Sequence, residues 1–309
     1  MGHIISMTLP LYALIGLGFL AACSRYVTAA DLAGVSAVVM RIFLPAMIFA
    51  AIATRPLAES MRPGFIAAYL AAGLSVLAIG FLLARLAGQP FTRAAIEGMG
   101  ASCPNSSYFG LPLVTLALGA EVALQGLALA VLVENLFVIP LAVALCDMGE
   151  GMGQTGGMRR FLGALIRNPL LLAVTAGLGW AATGLPMPDL PVRVLEMMSP
   201  VAAPIVLIAV GGAMARMSLA GQTGGAARVV LGKLILHPLL AFAAVWLFAP
   251  GLEPGLRQAA VLYAASPMIT IYTLFGQRYG APALTATAMV GAITASILTV
   301  PAAIWLLQG

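Results

Sequence analysis

Residues 101–113 read Ala101-Ser102-Cys103-Pro104-Asn105-Ser106-Ser107-Tyr108-Phe109-Gly110-Leu111-Pro112-Leu113, in the middle of a long apolar stretch. A helix cannot pass through this passage undisturbed. Each proline lacks an N–H, and its ring collides with the carbonyl four residues back. At membrane depth such a break is tolerated only where protein or cavity water satisfies the freed backbone groups. A second break, Ala264-Ala265-Ser266-Pro267-Met268-Ile269-Thr270, takes the corresponding place late in the chain. The sequence therefore predicts two interrupted helices, one in each half.

Composition narrows the class. The 309 residues are 62% hydrophobic and 8% charged, which suits a polytopic membrane protein and no ordinary soluble one. The net charge of +5 comes from basic residues scattered at the ends of apolar runs, without the stripe that nucleic acid would need. Lys233 is the only lysine, and Ala and Gly are abundant, as in a GC-rich bacterial genome. Cys23, Cys103 and Cys146 are far apart and match no metal or redox spacing, so no metal and no cofactor is expected. Leu20-Ala21-Ala22-Cys23 has the look of a lipoprotein cleavage box, but no Lys or Arg precedes the apolar run as a signal peptide requires. The opening Met1-Gly2-His3-Ile4-Ile5-Ser6 fits only the short myristoylation pattern.

A membrane helix takes about 20 mostly apolar residues. Such runs fall at 4–22, 32–54, 63–84, 94–118 and 122–146, then at 168–185, 196–215, 229–249, 256–276 and 283–307. The expected fold is an all-α polytopic membrane protein of ten transmembrane helices. Residues 1–146 form the first five-helix repeat, the Gly-rich charged segment 147–167 a connecting loop, and residues 168–309 the second repeat. A shift of 159 residues lays Pro10 on Pro169, Gly18 on Gly177 and Pro45 on Pro204; nearby shifts lay Pro104 on Pro267 and Pro140 on Pro301. Five spans is an odd number, so the second repeat must enter from the opposite side, as an inverted repeat with broken helices 4 and 9. Ten basic residues fall on one side: Arg25, Arg85, Arg93, Arg159, Arg160, Arg167, Arg216, Arg228, Lys233 and Arg278. Four fall on the other: Arg55, Arg62, Arg193 and Arg257. The richer side is predicted to be cytoplasmic, which puts both termini outside.

The passage Pro104-Asn105-x4-Gly110-Leu111-Pro112 resembles the crossover motif of the auxin efflux carrier family. Arg167-Asn168-Pro169, Pro204 followed by Gly211-Gly212-Ala213, and Ser266-Pro267 with the late Pro301 resemble the family's sixth, seventh and last two spans. The resemblance covers nearly the whole chain. It implies ten helices, with spans 4 and 9 unwound where they cross. Spans 1, 2, 6 and 7 would be a scaffold through which the protein forms a homodimer, and spans 3–5 and 8–10 a transport domain moving as an elevator. It also implies cargo among the small carboxylates: auxin in plants, malonate or malate in bacteria. The long hydrophilic loop of the large plant carriers is missing, which points to the bacterial branch and to the inner membrane.

Candidate site residues follow from the breaks. Half-helix N-termini offer free N–H groups and positive dipole ends that hold an anion without a full charge. Asn105 can donate its amide to a carboxylate, and Ser106, Ser107 and Ser266 can supply hydroxyls. Met268 stands where the second break would have an amide, so an asymmetric site is expected, with Pro104 and Pro267 as the crossover prolines. Glu134-Asn135 lies inside span 5 between apolar neighbours. An ionisable group at that depth marks a functional site by default, which makes Glu134 the candidate for proton coupling and Asn135 a candidate substrate contact. Arg41, four residues before Pro45, either faces the substrate path, pairs with a carboxylate or snorkels to an interface. Glu97 is expected to pair with Arg93 at the membrane surface. His237 reads as a structural hydrogen-bonder, Arg278 as a surface anchor, and the glycine pairs at 16/18, 98/100 and 211/212 as close-packing sites.

The leading function is a secondary carrier of a small organic anion in the lipid bilayer. The alternative is an H+- or Na+-coupled carrier of the bile-acid-symporter or sodium–proton-antiporter type, disfavoured because the breaks contain no carboxylate. A remote alternative is an intramembrane enzyme, since Gly100-Ala101-Ser102 opens like a membrane serine-protease motif with His237 as candidate base. Cys103 and Pro104 then replace the expected glycine, so no enzyme is expected.

Overall fold

A computed structural model describes residues 2–150, 163, 166–215 and 223–308. Among these the regular elements are helices. Seven are long and apolar enough to cross a membrane: Ser6–Cys23, Ala30–Ala53, Pro63–Leu86, Ala120–Gly149, Asp189–Met214, Gly224–Phe248 and Pro282–Leu307. Large apolar side chains such as Leu86, Leu247, Leu298 and Leu306 stand exposed on them, as lipid-facing surfaces require. The chain is a multi-pass membrane protein. Two shorter apolar helices, Ser106–Leu118 and Pro169–Thr183, accompany the seven.

Proline explains where these helices depart from the α form. Four of them widen into a five-residue π turn: Val39–Phe43, Ser106–Gly110, Glu134–Val138 and Gly232–Leu236. Each ends two residues before a proline, namely Pro45, Pro112, Pro140 and Pro238. A proline withdraws one N–H and crowds the carbonyl four residues back, and widening the turn relieves that crowding. In each case the residue before the proline bonds the carbonyl five back, as Leu44 does to Val39 and Ile139 to Glu134. Pro10, Pro200, Pro204 and Pro301 sit inside helices without such a turn.

Packing follows the small residues. The Gly2–Cys23 helix lies along Asp189–Met214, and Pro169–Thr183 lies along Leu44–Ala53. At Gly18 a Cβ would run into the carbonyl of Ile208, and at Gly211 into the carbonyl of Ile15. Gly177, 159 positions after Gly18, sits against the Ile52 side chain and, less closely, the Phe49 carbonyl. Gly98 presses on the Leu77 carbonyl and Gly100 on the Tyr272 ring, whereas Gly16 has nothing within 4 Å.

Several expectations about charge change. Glu97 is 2% exposed, and its chief partner is not Arg93, at 3.9 Å, but Arg228, which grips both carboxylate oxygens at 2.8 and 2.9 Å. The pairing ties Phe91–Ser102 to Thr223–Leu231 from the other half, a contact no i,i+4 rule anticipates. Arg278 pairs with Asp147 at 3.1 Å and is more than an anchor. Lys233 is fully buried, so it belongs to no loop and leaves nine basic residues on the richer side against four. The Ile139–Gly149 helix continues past the expected end at 146. Most of the connecting segment 147–167, with Arg159 and Arg160, and also Arg216, lies outside the described residues.

The close approach at Gly18 generates a contrast. Gly18→Val must push two helices apart and is expected to cost about 1–3 kcal/mol, read as a lowered thermal midpoint in detergent. Gly16→Val, one turn-half away on the open face, is expected to leave that midpoint unchanged.

Candidate functional site

The helix Phe91–Ser102 stops at the first break, and Pro254–Ala265 stops at the second. With 12 residues each, they are about 18 Å long at 1.5 Å per residue, well short of a bilayer core of about 30 Å. The chain between each helix and its continuation is extended, and the two extended pieces lie antiparallel, with Pro104 opposite Met268. The Asn105 N–H donates to the Pro267 carbonyl at 2.7 Å, and the Ile269 N–H donates to the Cys103 carbonyl at 2.9 Å. The broken backbones thus satisfy each other, as a water-poor interior demands. Tyrosines fix the half-helices: Tyr263 donates to the Ala123 carbonyl at 2.6 Å, and Tyr272 to the Ile96 carbonyl at 3.1 Å. Gly110 is a glycine because the Tyr263 ring leaves no room for a Cβ.

The paired breaks form one wall of a cavity of about 1350 Å³. Pro104, Asn105, Ser106 and Ser107 line it from the first break, and Ile269 and Thr270 from the second. Asn105 is 6% exposed. Its Oδ1 accepts the Tyr108 N–H at 3.2 Å and caps the new turn, while its Nδ2 donates to the Thr270 hydroxyl at 3.0 Å. An amide nitrogen has two hydrogens, so one donor of Asn105 remains for a ligand. Ser107 is half-buried on the cavity wall. Ser266 and Met268 are fully buried and away from the cavity: the Ser266 hydroxyl donates back to the Leu262 carbonyl at 3.1 Å, and Met268 faces Pro104.

Glu134 and Asn135 also line the cavity. The Glu134 carboxylate accepts from the Ser106 hydroxyl at 2.5 Å and from the Tyr69 hydroxyl at 2.9 Å. Asn135 donates to the Val131 carbonyl at 2.9 Å and accepts from Asn168 at 3.0 Å. Arg41 reaches the same cavity from its π turn and has no ion-pair partner among the described residues. Arg167 joins it there. Two arginines against one carboxylate give the lining a positive balance that suits an anion.

The structure therefore brings Asn105, Ser106, Ser107, Glu134, Asn135 and Arg41 to one cavity, with Pro104. It adds Thr270, Arg167 and Asn168. Thr270 closes the quoted second break, three residues after Pro267; Arg167 reads in sequence as the opening of the sixth span and as a charge on the basic side, with no sign that it lines a cavity. Nothing in the sequence marks Tyr69, which lies 65 positions from the carboxylate it holds.

A family model described as "Membrane transport protein" matches residues 3–306. A protein of Rhizobium meliloti (strain 1021) named "Putative malonate transporter" is 30% identical over 289 residues, covering 91% of this chain and 88% of its own length. Both are transporters rather than enzymes, in line with a cavity built from an amide, hydroxyls and arginines. The chain belongs to the membrane transport protein family, the auxin efflux carrier family that its Pro104–Pro112 passage resembles.

Proposed function

We propose that this protein is a secondary carrier of small dicarboxylates of malonate size, working by alternating access at the paired breaks. The observation that carries the reading is the cavity wall itself: the pairing of two broken helices beside Asn105, Ser107 and Thr270, faced by Arg41 and Arg167. One carboxylate would accept hydrogen bonds from Asn105, Thr270 and Ser107. The second would meet the Arg41 guanidinium, whose planar fork fits a carboxylate. The name of the Rhizobium relative supports malonate as the first cargo to try.

The architecture we infer has ten spans in two inverted repeats, counting each broken helix with its continuation as one span. The matched contacts of Gly18 with Ile208 and of Gly177 with Phe49, both separated by the same shift, support the repeat. Spans 1, 2, 6 and 7 would be the scaffold and carry a homodimer interface. Spans 3–5 and 8–10 would be the moving body, in an inner membrane with both termini outside. Hydrogen bonds such as Tyr12 to the Ser296 carbonyl, at 2.6 Å, and Asn168 to Asn135 cross between these bodies and would be exchanged during an elevator stroke.

Proton coupling through Glu134 is the second part of the reading. Glu134 faces the cavity and grips Ser106, the first residue after the break, so its charge state and cargo occupancy act on one turn.

Three outcomes are expected in proteoliposomes. Asn105→Ala lowers malonate uptake by about tenfold or more, the effect of removing a charge-assisted hydrogen bond together with a cap; unaltered uptake in a folded variant would remove Asn105 from the site. Glu134→Gln abolishes uptake driven by a pH gradient while sparing malonate–malonate exchange; normal pH-driven uptake would leave Glu134 structural. Arg41→Gln raises the KM for malonate about tenfold and leaves the KM of a monocarboxylate such as propionate nearly unchanged. Equal effects on both would place Arg41 off the second carboxylate.

A further inference from the structure

A second depression, of about 400 Å³, shares no lining residue with the cavity at the paired breaks. It runs between Pro63–Leu86, Phe91–Ser102 and Gly224–Phe248. Small residues make it. A Cβ on Gly80 would stand 3.1 Å from the Gly98 Cα and 3.4 Å from the Ala101 methyl, and one on Gly232 would stand 2.9 Å from the same methyl. The three helices therefore meet through Gly80, Ala101 and Gly232, which form a floor. Leu83, Leu231, Ile235 and Leu239 stand exposed along the rims. The result is an apolar trough rather than a flat helix surface.

One end of the trough is charged, where Arg228 and Glu97 line it. Arg228 donates from Nε and Nη2 to the two Glu97 oxygens, at 2.8 and 2.9 Å, and its Nη1 makes no hydrogen bond among the described residues. Arg93 stands 3.9 Å from the same carboxylate. Glu97 is buried while both arginines are partly exposed, so two guanidinium groups reach this end against one carboxylate. From Arg228 to Leu239 the helix rises about 16 Å at 1.5 Å per residue, which is one half of a bilayer core of about 30 Å. The trough thus spans one leaflet. Its positive end lies near the start of the Gly224–Phe248 span, and its apolar end at mid-membrane.

We propose that the trough is a binding site for an anionic phospholipid, whose phosphate meets Arg228 and Arg93 and whose acyl chain lies along Gly80, Ala101 and Gly232. The chemistry of the two ends selects this occupant. Free phosphate would fill the charged end and leave the trough bare. A protein helix, about 10–12 Å wide with its side chains, is too broad for the space. A zwitterionic lipid brings its own cation to an end that already holds a surplus of one positive charge, whereas an anionic lipid balances that surplus through charge-assisted hydrogen bonds. The occupant also bears on the first break. Its chain lies against Ala101, three residues before Pro104, and so ties the short Phe91–Ser102 helix to Gly224–Phe248 from outside the protein.

The test is native mass spectrometry of the full chain, delipidated in detergent and given phosphatidylglycerol or phosphatidylcholine with the same acyl chains. The wild type is expected to retain one phosphatidylglycerol with about tenfold preference over phosphatidylcholine, the effect of a charge-assisted hydrogen bond. Glycerol phosphate, which has the anionic headgroup and no chains, should not displace it. The double variant Glu97→Gln with Arg228→Gln keeps a neutral hydrogen-bonded pair and should lose the preference. Ile235→Trp, on an exposed rim, narrows the trough and should weaken phosphatidylglycerol retention about tenfold; it carries the test if the double variant does not fold. Equal retention of both lipids by the wild type, an unchanged preference in the double variant, full retention by Ile235→Trp, or displacement by glycerol phosphate would each overturn the proposal.

Discussion

Two stretches of backbone that cannot continue as helix have to find hydrogen bonds where water is scarce, and they find them in each other. The Asn105 N–H to Pro267 carbonyl and Ile269 N–H to Cys103 carbonyl bonds are the constraint behind the rest of the structure. In lipid each unsatisfied group costs several kcal/mol, so the two breaks must meet, and the helices that carry them must be held at that meeting point. Tyr263 and Tyr272 hold them through backbone carbonyls of the opposite half. The Arg228–Glu97 pair ties the first of these helices to Thr223–Leu231 as well. The cavity exists because the extended pieces leave side chains, and not helix backbone, on one wall.

Proline places the rest of the chemistry. The four π turns carry Arg41, Ser106 with Ser107, Glu134 with Asn135, and Lys233. All these polar residues sit within the six positions before a proline. A wide turn loosens the regular ladder at one depth and turns a side chain off the apolar stripe its helix would otherwise keep. Local strain and polar function are therefore built from the same few residues, a pairing π turns show elsewhere.

Much of this was legible beforehand, for physical reasons that also set the limits. Broken helices announce themselves because Pro and Asn in an apolar run are locally expensive, so 104–105 and 266–267 stood out. Glu134 stood out in the same way. The π turns were half legible: Pro45, Pro112, Pro140 and Pro238 are visible, but Pro204 and Pro301 look alike in sequence and sit in ordinary helix. What the sequence hid were partners far apart in the chain. Arg93 stands one turn from Glu97 and draws the eye, while Arg228 wins because two helices from different halves meet there. Lys233 looked like a charge at the end of a span, since an apolar window places a lone lysine at whichever boundary lies nearest. Ser266, next to its proline, appeared equivalent to Ser106, yet its hydroxyl returns to its own helix.

The mutual pairing of the breaks also says something about how the protein is made. Asn105 and Pro267 are about 160 residues apart, and at about 5–20 residues per second a ribosome needs roughly 8–30 s to cover that distance. Throughout that interval the first break has been made without the strand that completes it. Neither the Phe91–Ser102 helix nor its continuation can settle across the bilayer alone. Until Pro267 and Ile269 arrive, the Asn105 N–H and the Cys103 carbonyl lack the partners they have in the finished fold, so the crossing closes only after the second half is made.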